Sequence, residues 1–419
     1  HGGKITRKDK QELRTRLAKL DAELDHYLAG EYGIDVEKQK AFDAWKASHE
    51  PFHWFVEFYG IMSGGGFDII VGNPPFVEYS QVSRKYSLRG YRTESCGNLY
   101  AFVVERCTFL LGGHGRCGLI MPLSGFATER MQPLQALYKK QYGPTFISYF
   151  AGDAHPSRLF DGVKFRLSIV LSTRRQGSFE YYATDYQRWY ATERDHLFQR
   201  FTYANASDFV LSTTFPKLGD PTTATVLATM RHSKALGSMV GAGGAVLYYH
   251  NCPVNWIRAT TFVPRFWSQR DGDKVSTQIR ELMFPTAVIR DAACCVINST
   301  HFFLNWLLHS DCYHLVAREL LEFPIDLEEL VSAHGERLKA LCADLMRDYR
   351  KHSRERVYVY KTTGKVIYDE FYPKLSKSII DEIDIVLGRH YNLSAIELEH
   401  VINYDIKYRL GGDSNDGNE

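Results

Sequence analysis

The chain has 419 residues, of which 44% are hydrophobic and 24% charged, a composition typical of a soluble globular protein with two or three domains. Its formal net charge of +2 leaves a nucleic-acid-binding face open, because acidic residues elsewhere can balance such a face. The eight cysteines form no C-x-x-C pair, so we expect no metal site. No apolar run approaches the ~18 residues of a membrane span, and we expect a cytoplasmic protein without a membrane partner.

The first segment of the chain is charged and helical in pattern. Leucines recur in it at three- and four-residue steps, which predicts helices over residues 4–48. We interpret residues 1–60 as a helical lead-in, a packed hairpin that leads into the next domain. Because the chain begins with HGG instead of methionine, we expect that a preceding part of the protein is missing.

An α/β pattern follows from residue 61 to residue 190. The unbroken apolar run Phe67–Val71 predicts a parallel strand that is covered on both faces. A helix that ends at Gly112 and Gly113 comes next. Further strands are predicted at residues 117–122, 146–150 and 165–173. This alternation of strands and helices predicts a layered α/β domain.

The pattern of predicted elements changes after residue 190. Residues 191–325 combine short strands, glycine clusters and aromatic turns, which predicts a separate, mixed α+β domain. Residues 326–419 predict a mainly helical C-terminal segment. Its predicted elements are a long charged helix at 326–356, a hairpin at 361–371, and helices at 376–391 and 394–409.

The tetrapeptide Asn73-Pro74-Pro75-Phe76 directly follows the first predicted strand. Ligands of open α/β sheets bind beyond the carboxyl ends of the strands, so this loop is placed at a candidate site. The two prolines remove backbone donors and fix two φ angles, and a residue before proline is held extended. The loop therefore presents the Asn73 side-chain oxygen and the Pro74 carbonyl as two fixed acceptors.

Two fixed acceptors suit a substrate with an exocyclic amino group. The lone pair of such an amine is delocalised into its ring, and holding both N–H groups out of the ring plane would localise it for attack on an electrophilic methyl group. Phe76 supplies a flat face for a stacked base, and a base from a duplex would have to flip out to reach it. The alternative is a proline-rich turn in which Asn73 only forms the turn.

The stretch GGFDIIVGNPPFVEY resembles motif IV of the amino-methyltransferases, and its flanks resemble adenine-specific type IIG restriction–modification methylases. The resembling segments occur in the same order over about residues 50 to 411. They are FHWFVEF, GNLYAFVVERCTFLLGGHGRCGLIMPLSGF, SRLFDGVKFRLSIVLST, FFLNWLLHSDCYHLVARELLEFPID and KSIIDEIDIVLGRHYNLSAIELEHVINYDIKYR. The resemblance implies part of a Rossmann-like, S-adenosylmethionine-dependent methyltransferase sheet, followed by a target-recognition domain and a helical segment.

The resemblance also implies roles for particular residues. Asn73, Pro74, Pro75 and Phe76 would be catalytic, transferring methyl to N6 of adenine in double-stranded DNA. Asn98, Tyr100 and Phe102 would lie near the cofactor, with ordinary helix packing as the alternative. Independently of the resemblance, we expect His53, Trp54 and Glu57 to brace the strand before the loop without taking part in the chemistry. Lys164 and Arg166 are expected to approach DNA phosphates, with exposed charges of no specific role as the alternative.

Charged and aromatic residues interleave in the presumed recognition domain, a pattern that suits phosphate and base contacts. The candidate DNA-binding residues there are Arg258, Arg265, Trp267, Arg270 and Lys274. A second basic stripe, which suits the DNA backbone or is simply solvated, consists of Arg347, Arg350, Lys351, Arg354, Arg356, Lys361 and Lys365.

The chain departs from the family pattern in one respect. The glycine-rich S-adenosylmethionine loop expected before the N-P-P-F loop does not stand between His1 and Gly66, and we interpret the glycine cluster at 237–246 as an ordinary loop. The chain is therefore expected to be the C-terminal part of a longer enzyme, or to need a partner subunit that carries that loop. The alternatives are a DNA-binding specificity module without activity, a methyltransferase of protein glutamine or ribosomal RNA, and an inactive scaffold.

Overall fold

The computed structural model describes residues 6–152, 158–160, 162–231, 234–241, 243–362 and 364–411. The chain divides into two compact units, the first formed by residues 1–147 and 168–181 and the second by residues 148–167 and 182–419. The finer division into four segments, with boundaries after residues 60, 190 and 325, stays a prediction. None of the helices in the described ranges has both the length and the apolar composition that a membrane crossing requires.

The first unit combines helices with parallel strands. Its helices are α1 (Arg7–Glu31), α2 (Gln39–His49), α3 (Trp54–Glu57), α4 (Tyr59–Ser63), α5 (Tyr79–Val82), α6 (Leu99–Leu110) and α7 (Gln132–Gln141). Its complete strands are β1 (Phe67–Gly72) and β2 (Leu111–Pro122), which pair in parallel. The strands β3 (Tyr142–Phe150), β4 (Leu167–Arg174) and β5 (Glu180–Gln187) have residues in both units, and the strand order from the edge is β1-β2-β4-β3. The prediction of a mixed α/β domain with a multi-stranded sheet is thus confirmed.

Helix α1 begins with a capping box, in which Thr6 Oγ1 accepts from the Asp9 amide and the Asp9 carboxylate accepts from the Thr6 amide. Only its C-terminal half packs against α2, where Ala29 meets Phe42 and Trp45 in a small core. The leucines of its N-terminal half are exposed, so the predicted packing holds for half of the helix. These exposed residues are Leu13, Leu17 and Leu20.

Strand β1 is parallel, as predicted, but the prediction that both its faces are covered is wrong. Within the described residues β1 stands at the edge of the sheet and pairs only with β2. Ile69 is 65% exposed and Val71 is 79% exposed. The Ile69 and Val71 side chains therefore lie on a largely uncovered face of β1, whereas the Phe67 ring contacts Trp54 and Phe58.

The second unit contains two further sheets and most of the helices. Its strands are β6 (Ala204–Asn205), β7 (Ala245–His250), β8 (Ala259–Thr260), β9 (Phe266–Ser268), β10 (Gly272–Asp273), β11 (Ile279–Phe284), β12 (Arg354–Tyr360) and β13 (Gly364–Glu370). Its helices are α8 (Pro221–Met230), α9 (Ala287–Asn298), α10 (Thr300–His309), α11 (Ala317–Leu321), α12 (Leu327–His352), α13 (Lys377–His390), α14 (Ala395–Ile402) and α15 (Ile406–Arg409). The sheets have the orders β10-β9-β13-β12 and β11-β7-β8.

The core of the second unit lies between α9, α10, α12 and α13, whose inward faces are apolar. Within this core, Asp384 accepts hydrogen bonds from the Thr300 amide at 2.8 Å and faces His301 Nδ1 at 3.1 Å. The Arg409 guanidinium lies 3.9 Å from the Trp256 ring and donates to Thr300 Oγ1. These buried polar contacts tie the C-terminal helices to α10.

Candidate functional site

The N-P-P-F loop leaves the carboxyl end of β1 in the first unit. Pro74 is buried and Phe76 half-buried, whereas Asn73 and Pro75 are exposed. The Phe76 ring meets the Tyr100 ring edge-on, with their centroids 6.3 Å apart. The loop is thus anchored through Pro74 and Phe76, and its Asn73 amide remains accessible to a substrate.

Backbone hydrogen bonds fasten the segment that follows the loop to the start of α6. The Leu99 amide donates to the Val77 carbonyl at 2.9 Å, and the Tyr79 amide donates to the Gly97 carbonyl at 2.8 Å. These bonds flank a short antiparallel bridge. The exit of the loop therefore has a defined path, as positioning of Asn73 requires.

Side chains reinforce this bridge. Asn98 Nδ2 donates to Glu78 Oε1 at 3.2 Å, and the other oxygen of Glu78 pairs with the Arg130 guanidinium. Arg130 Nε also donates to the Cys96 carbonyl at 2.7 Å. We name Glu78, Asn98 and Arg130 the loop clamp. Glu78 and Arg130 were not predicted from the sequence, and the only signal for Glu78 was its position two residues after Phe76.

Asn98 also has a free acceptor. The residue is 7% exposed, and its Oδ1 has no hydrogen-bond partner among the described residues. Buried polar atoms nearly always have a partner in folded proteins, so an unpartnered acceptor beside the loop is a candidate for a ligand contact. Of the three residues expected near the cofactor, Asn98 alone has such an atom.

The other two expected cofactor neighbours lie in the core. The Tyr100 hydroxyl donates to Met131 Sδ at 3.2 Å, and burial raises the pKa of Tyr100 well above its ordinary value. The Phe102 ring packs edge-on against Tyr79 at 5.4 Å and Tyr91 at 5.2 Å. Both positions correspond to the alternative of ordinary helix packing.

The glycine cluster at 237–246 is closely packed at two of its described positions. A Cβ atom at Gly237 would lie 2.8 Å from the Leu321 carbonyl oxygen, and one at Gly243 would lie 2.1 Å from the Phe284 carbonyl oxygen, whereas one at Gly241 or Gly244 would meet no atom within 4 Å. Gly237 and Gly243 therefore permit close backbone packing. The glycine-rich loop of the family pattern does not stand before β1 in the described chain. Within the same ranges, no three His, Cys, Asp or Glu side chains are arranged to hold a metal ion.

Of the three residues expected to brace β1, one packs on the strand, one links two helices and one is exposed. The Trp54 ring meets the Phe67 ring edge-on at 5.9 Å and so packs on the first residue of β1. His53 Nε2 lies 2.8 Å from Asp25 Oδ1 and links α3 to α1. Glu57 is exposed.

The candidate DNA-binding residues of the second unit occupy different environments. Lys164 is exposed, and the Arg166 guanidinium lies 4.9 Å from the centre of the Tyr313 ring. The Arg258 guanidinium stacks on the Phe371 ring at 4.6 Å, and burial lowers its pKa to about 10. Arg258 is therefore placed for packing rather than for contact with phosphate.

The structure joins the remaining recognition residues to the basic stripe. Trp267 on β9 lies opposite Ile367 on β13 in an antiparallel pair. Arg265 pairs with Glu355 on β12 at 2.6 Å. Arg270 and Lys274, near β10, both pair with Asp271. Two segments that are remote in sequence thus form one four-stranded sheet, although the sequence predicted two separate candidate DNA-binding segments.

Several members of the basic stripe are already engaged within the unit. Arg347 pairs with Asp344 at 2.8 Å, Arg356 pairs with Glu370 at 2.6 Å, and Arg350 stacks on Phe262 at 3.9 Å. Three lysines have no ion pair within the described ranges and are exposed: Lys351, Lys361 and Lys365.

Residues 4–155 match the family described as Eco57I restriction-modification methylase. A protein of Methanocaldococcus jannaschii, named as a type II restriction enzyme and methyltransferase, is 34% identical over 79 residues, which are 19% of this chain and 6% of that protein. The expected resemblance to restriction–modification methylases is therefore supported for the N-terminal part of the chain. The matched region is a small fraction of the relative's length.

Solved structures give weaker likenesses. The type IIL restriction-modification enzyme MmeI in complex with DNA is 11% identical, covers 81% of this chain and 57% of its own, and has a TM-score of 0.40. The type IIG restriction endonuclease BpuSI is 9% identical, covers 82% of this chain and 54% of its own, and has a TM-score of 0.29. These TM-scores are too low to establish a shared fold.

Proposed function

We propose that this chain is part of a DNA methyltransferase of a restriction–modification system, which transfers a methyl group from S-adenosylmethionine to the exocyclic N6 amine of adenine. The observation that carries the proposal is the loop Asn73–Phe76 at the carboxyl end of β1. It lies inside the segment that matches the restriction–modification methylase family. Neither the family match nor the geometry selects adenine, and that part of the proposal rests on the asparagine at the first loop position.

The residues of the loop have defined tasks in this proposal. Asn73 Oδ1 and the Pro74 carbonyl accept the two N–H groups of the amine and localise its lone pair. Asn73 is neutral and cannot act as a strong base, so the spare proton leaves to water after the transfer. Phe76 stacks on the base, which has flipped out of the duplex. The loop clamp keeps these groups in position.

In this proposal the chain needs an additional polypeptide segment to bind the cofactor. S-adenosylmethionine supplies an electrophilic methyl group when bound, but the glycine-rich loop of the family pattern does not stand before β1 in the described chain. We propose that a polypeptide segment outside the described residues carries the glycine-rich loop and packs along the open edge of β1. The exposed Ile69 and Val71 support this, because water-exposed aliphatic side chains on a strand edge favour pairing with another strand.

A second candidate function is a DNA-binding specificity module without activity. The observation that favours it is the same lack of a glycine-rich cofactor loop before β1 in the described chain. The two functions differ in one property, because only the methyltransferase transfers label to DNA when the missing cofactor loop is supplied. Methylation of protein glutamine or ribosomal RNA is less favoured, since most of the chain follows Phe76.

The test is transfer of labelled methyl from S-adenosylmethionine to unmethylated DNA, followed by digestion to nucleosides. Wild type is compared with Asn73→Ala, and with Gln11→Ala as a control that removes an exposed amide from α1. We expect label in N6-methyladenine with the wild type and the control, and none with Asn73→Ala. Label in methylcytosine would overturn the choice of base.

An inactive wild type would be retested with a polypeptide that carries a glycine-rich cofactor loop. Label that appears only then would support the shared cofactor site. If no label appears but the chain still binds duplex DNA, the specificity module is the correct function.

A further inference from the structure

The segment after the N-P-P-F loop makes a long excursion in the first unit before it returns to the loop clamp. We name residues 79–97, which form this excursion, the basic loop. Its two neighbours in the chain, Glu78 and Asn98, form the antiparallel bridge. The Tyr79 amide also donates to the Gly97 carbonyl at 2.8 Å. Both ends of the basic loop are therefore fixed at the exit of the N-P-P-F loop.

The charge of the basic loop is almost entirely of one sign. The loop contains one acidic residue, Glu94, and four cations: Arg84, Lys85, Arg89 and Arg92. These residues give the short segment a formal charge of +3, whereas the whole chain of 419 residues carries +2. Positive charge is thus concentrated next to the candidate site, which indicates an anionic partner for this surface.

Hydrogen bonds hold the backbone in the middle of the basic loop. The Tyr79 hydroxyl oxygen accepts from the Leu88 amide at 2.8 Å. His49 Nε2, on α2, accepts from the Ser87 amide at 3.1 Å. The first of these bonds joins the loop to itself, and the second joins it to the helices before β1. The path of the loop over residues 79–88 is therefore defined at two points besides its ends.

The C-terminal part of the basic loop is held by α6. The buried Glu105 carboxylate accepts from the Arg92 amide at 3.1 Å and from the Thr93 amide at 3.0 Å. It also accepts from the Thr93 hydroxyl at 2.8 Å. Arg106 donates to the Tyr91 hydroxyl oxygen at 3.0 Å. The backbone of Arg92 is thus fixed, while its side chain is exposed.

The four cations of the basic loop differ in what they contact. Arg89 is engaged within the first unit, because its guanidinium donates to the Glu31 carbonyl at 3.2 Å. The other three are exposed and form no ion pair in the described part of the chain: Arg84, Lys85 and Arg92. Exposed cations on a held backbone can bind an anion with little loss of conformational freedom in the chain.

We infer that the basic loop binds the DNA backbone beside the flipped base, with Arg84, Lys85 and Arg92 against phosphates. Phosphates recur every ~3.4 Å along each strand of a duplex, so a base held at Phe76 brings its neighbouring phosphates to this surface. Contacts to phosphate position the duplex, and they offset the unstacking energy that a flipped base costs. The inference rests on the DNA substrate of the proposed function and adds the residues that hold the backbone.

The composition of the exposed surface is the reason for choosing DNA over an acidic protein. The aromatic and aliphatic side chains of the basic loop are buried or half-buried, and its exposed side chains are polar or charged. The centre of a protein–protein interface is apolar and depleted of charge. Protein–DNA interfaces are more polar and much more positively charged. The surface of the basic loop corresponds to the second kind.

The first test measures binding of the full chain to a fluorescent duplex of mixed sequence as a function of salt concentration. A triple variant combines Arg84→Ala, Lys85→Ala and Arg92→Ala. The slope of log K against log salt should become shallower by about 0.9 for each lost phosphate contact. The control combines Lys10→Ala with Arg14→Ala, two exposed cations of α1, and should keep the wild-type slope. An unchanged slope in the triple variant, or a wild-type chain that binds no duplex, would overturn the inference.

A second variant separates loss of charge from damage to the loop. It combines Arg84→Lys, Lys85→Arg and Arg92→Lys, which keep every charge while changing every side chain. We expect the wild-type salt slope in this variant, and the wild-type unfolding midpoint in both triple variants. If the charge-conserving variant lost as much of the slope as the alanine variant, the shape of the loop and not its charge would matter, and phosphate contact would be refuted.

A crosslinking experiment locates the contact on the DNA. A photoreactive residue replacing Lys85 should crosslink to duplex DNA, and one replacing Lys10 should not. The crosslinked nucleotide should be a neighbour of the base that is methylated in the transfer assay. Crosslinking at Lys85 to protein, or to nucleotides far from that base, would overturn the inference.

The inference and the proposed function fail in different ways. A chain that transfers methyl to DNA, but whose salt slope is unaffected by the triple alanine variant, would keep the proposed function and lose the inference. A chain that transfers no methyl, but loses slope in that variant and crosslinks to DNA at Lys85, would keep the basic loop as a DNA-binding element of a specificity module.

Discussion

Asn98 and Glu78 meet where the segment after the N-P-P-F loop pairs with the start of α6, and Asn98 Nδ2 donates to Glu78 Oε1 at 3.2 Å. The opposite end of the Asn98 amide, Oδ1, is buried and has no partner among the described residues. The orientation of Asn98 is therefore set by the bond to Glu78, and the path of the loop depends on a pair that lies outside the motif itself.

Exchange of Asn98 for aspartate should strongly reduce methyl transfer and only moderately lower the stability of the fold. Asn98→Asp replaces a donating amide by a carboxylate that repels Glu78, so the loop clamp opens. We expect methyl transfer to fall at least about tenfold and the free energy of unfolding to fall by about 1–3 kcal/mol. Denaturant unfolding and labelled methyl transfer measure the two effects. Asn205→Asp is the control, because that exposed side chain only accepts from the Ser207 amide and aspartate can do the same.

The glycine before β1 should tolerate no side chain. Gly66 has φ +114°, and a Cβ atom there would lie 2.5 Å from the Leu110 carbonyl oxygen. Gly66→Ala should cost about 1–3 kcal/mol from the backbone conformation alone, with the clash in addition. Gly60→Ala is the matched control, because no atom lies within 4 Å of that position and α4 is a helix. Equal unfolding midpoints of the two variants would contradict the described path of the chain into β1.

Glu319 in the second unit should make stability depend on pH. It borders a cavity of about 270 Å³, and its burial raises its pKa from the ordinary 4.5 to about 8. Between these values the folded chain keeps a proton on Glu319 that the unfolded chain has lost, so this group lowers stability as pH rises from 4.5 to about 8. Glu319→Gln should remove that loss, so that its stability exceeds that of wild type by a margin that grows with pH. Thermal unfolding of both proteins from pH 5 to pH 9 measures the margin, and a margin that does not change with pH would contradict the burial of a protonated Glu319.

Arg258 and Arg270 should behave differently although both were candidates for DNA contact. Arg258 stacks on Phe371 in the interior, and Arg258→Ala should lower the free energy of unfolding by about 1–3 kcal/mol without changing the salt slope of DNA binding. Arg270 is exposed, and its ion pair within the described residues is with its neighbour Asp271, so Arg270→Ala should leave stability unchanged. Denaturant unfolding and salt-dependent binding separate the two roles. A reduced salt slope for Arg258→Ala at unchanged stability would show that Arg258 contacts phosphate after all.

The positions of the regular elements follow closely from the sequence, but their ends do not. The helix at α6 was expected to end at Gly112 and Gly113, yet it ends at Leu110 and β2 begins at Leu111. Two glycines in this stretch lie close to β1: a Cβ atom at Gly112 would lie 3.4 Å from the Phe67 carbonyl oxygen, and one at Gly115 would lie 2.7 Å from it. Gly112 and Gly115 thus permit close packing of β2 against β1, whereas a Cβ atom at Gly113 would meet no atom within 4 Å.

The geometry of the loop and its two hydrogen-bond acceptors could be predicted from the sequence. The residues that hold the loop in place could not. Two prolines restrict their own and the preceding backbone conformation wherever they occur, so the local geometry of Asn73–Phe76 is a property of four consecutive residues. Arg130, which holds Glu78 and the Cys96 carbonyl, lies far along the chain. Only the tertiary fold brings such a residue to the loop.

What the sequence by itself determined is therefore local: the strand before the loop, the stiffness and acceptors of the loop, and the long helices of the second unit. Tertiary structure decided that Phe67–Gly72 lies at an exposed sheet edge, that Tyr100 and Phe102 are core residues, and that β9 pairs with the distant strand β13. The physical reason is that backbone restriction and periodicity act between near neighbours. Burial and strand order depend instead on which distant segments compete for the same surface.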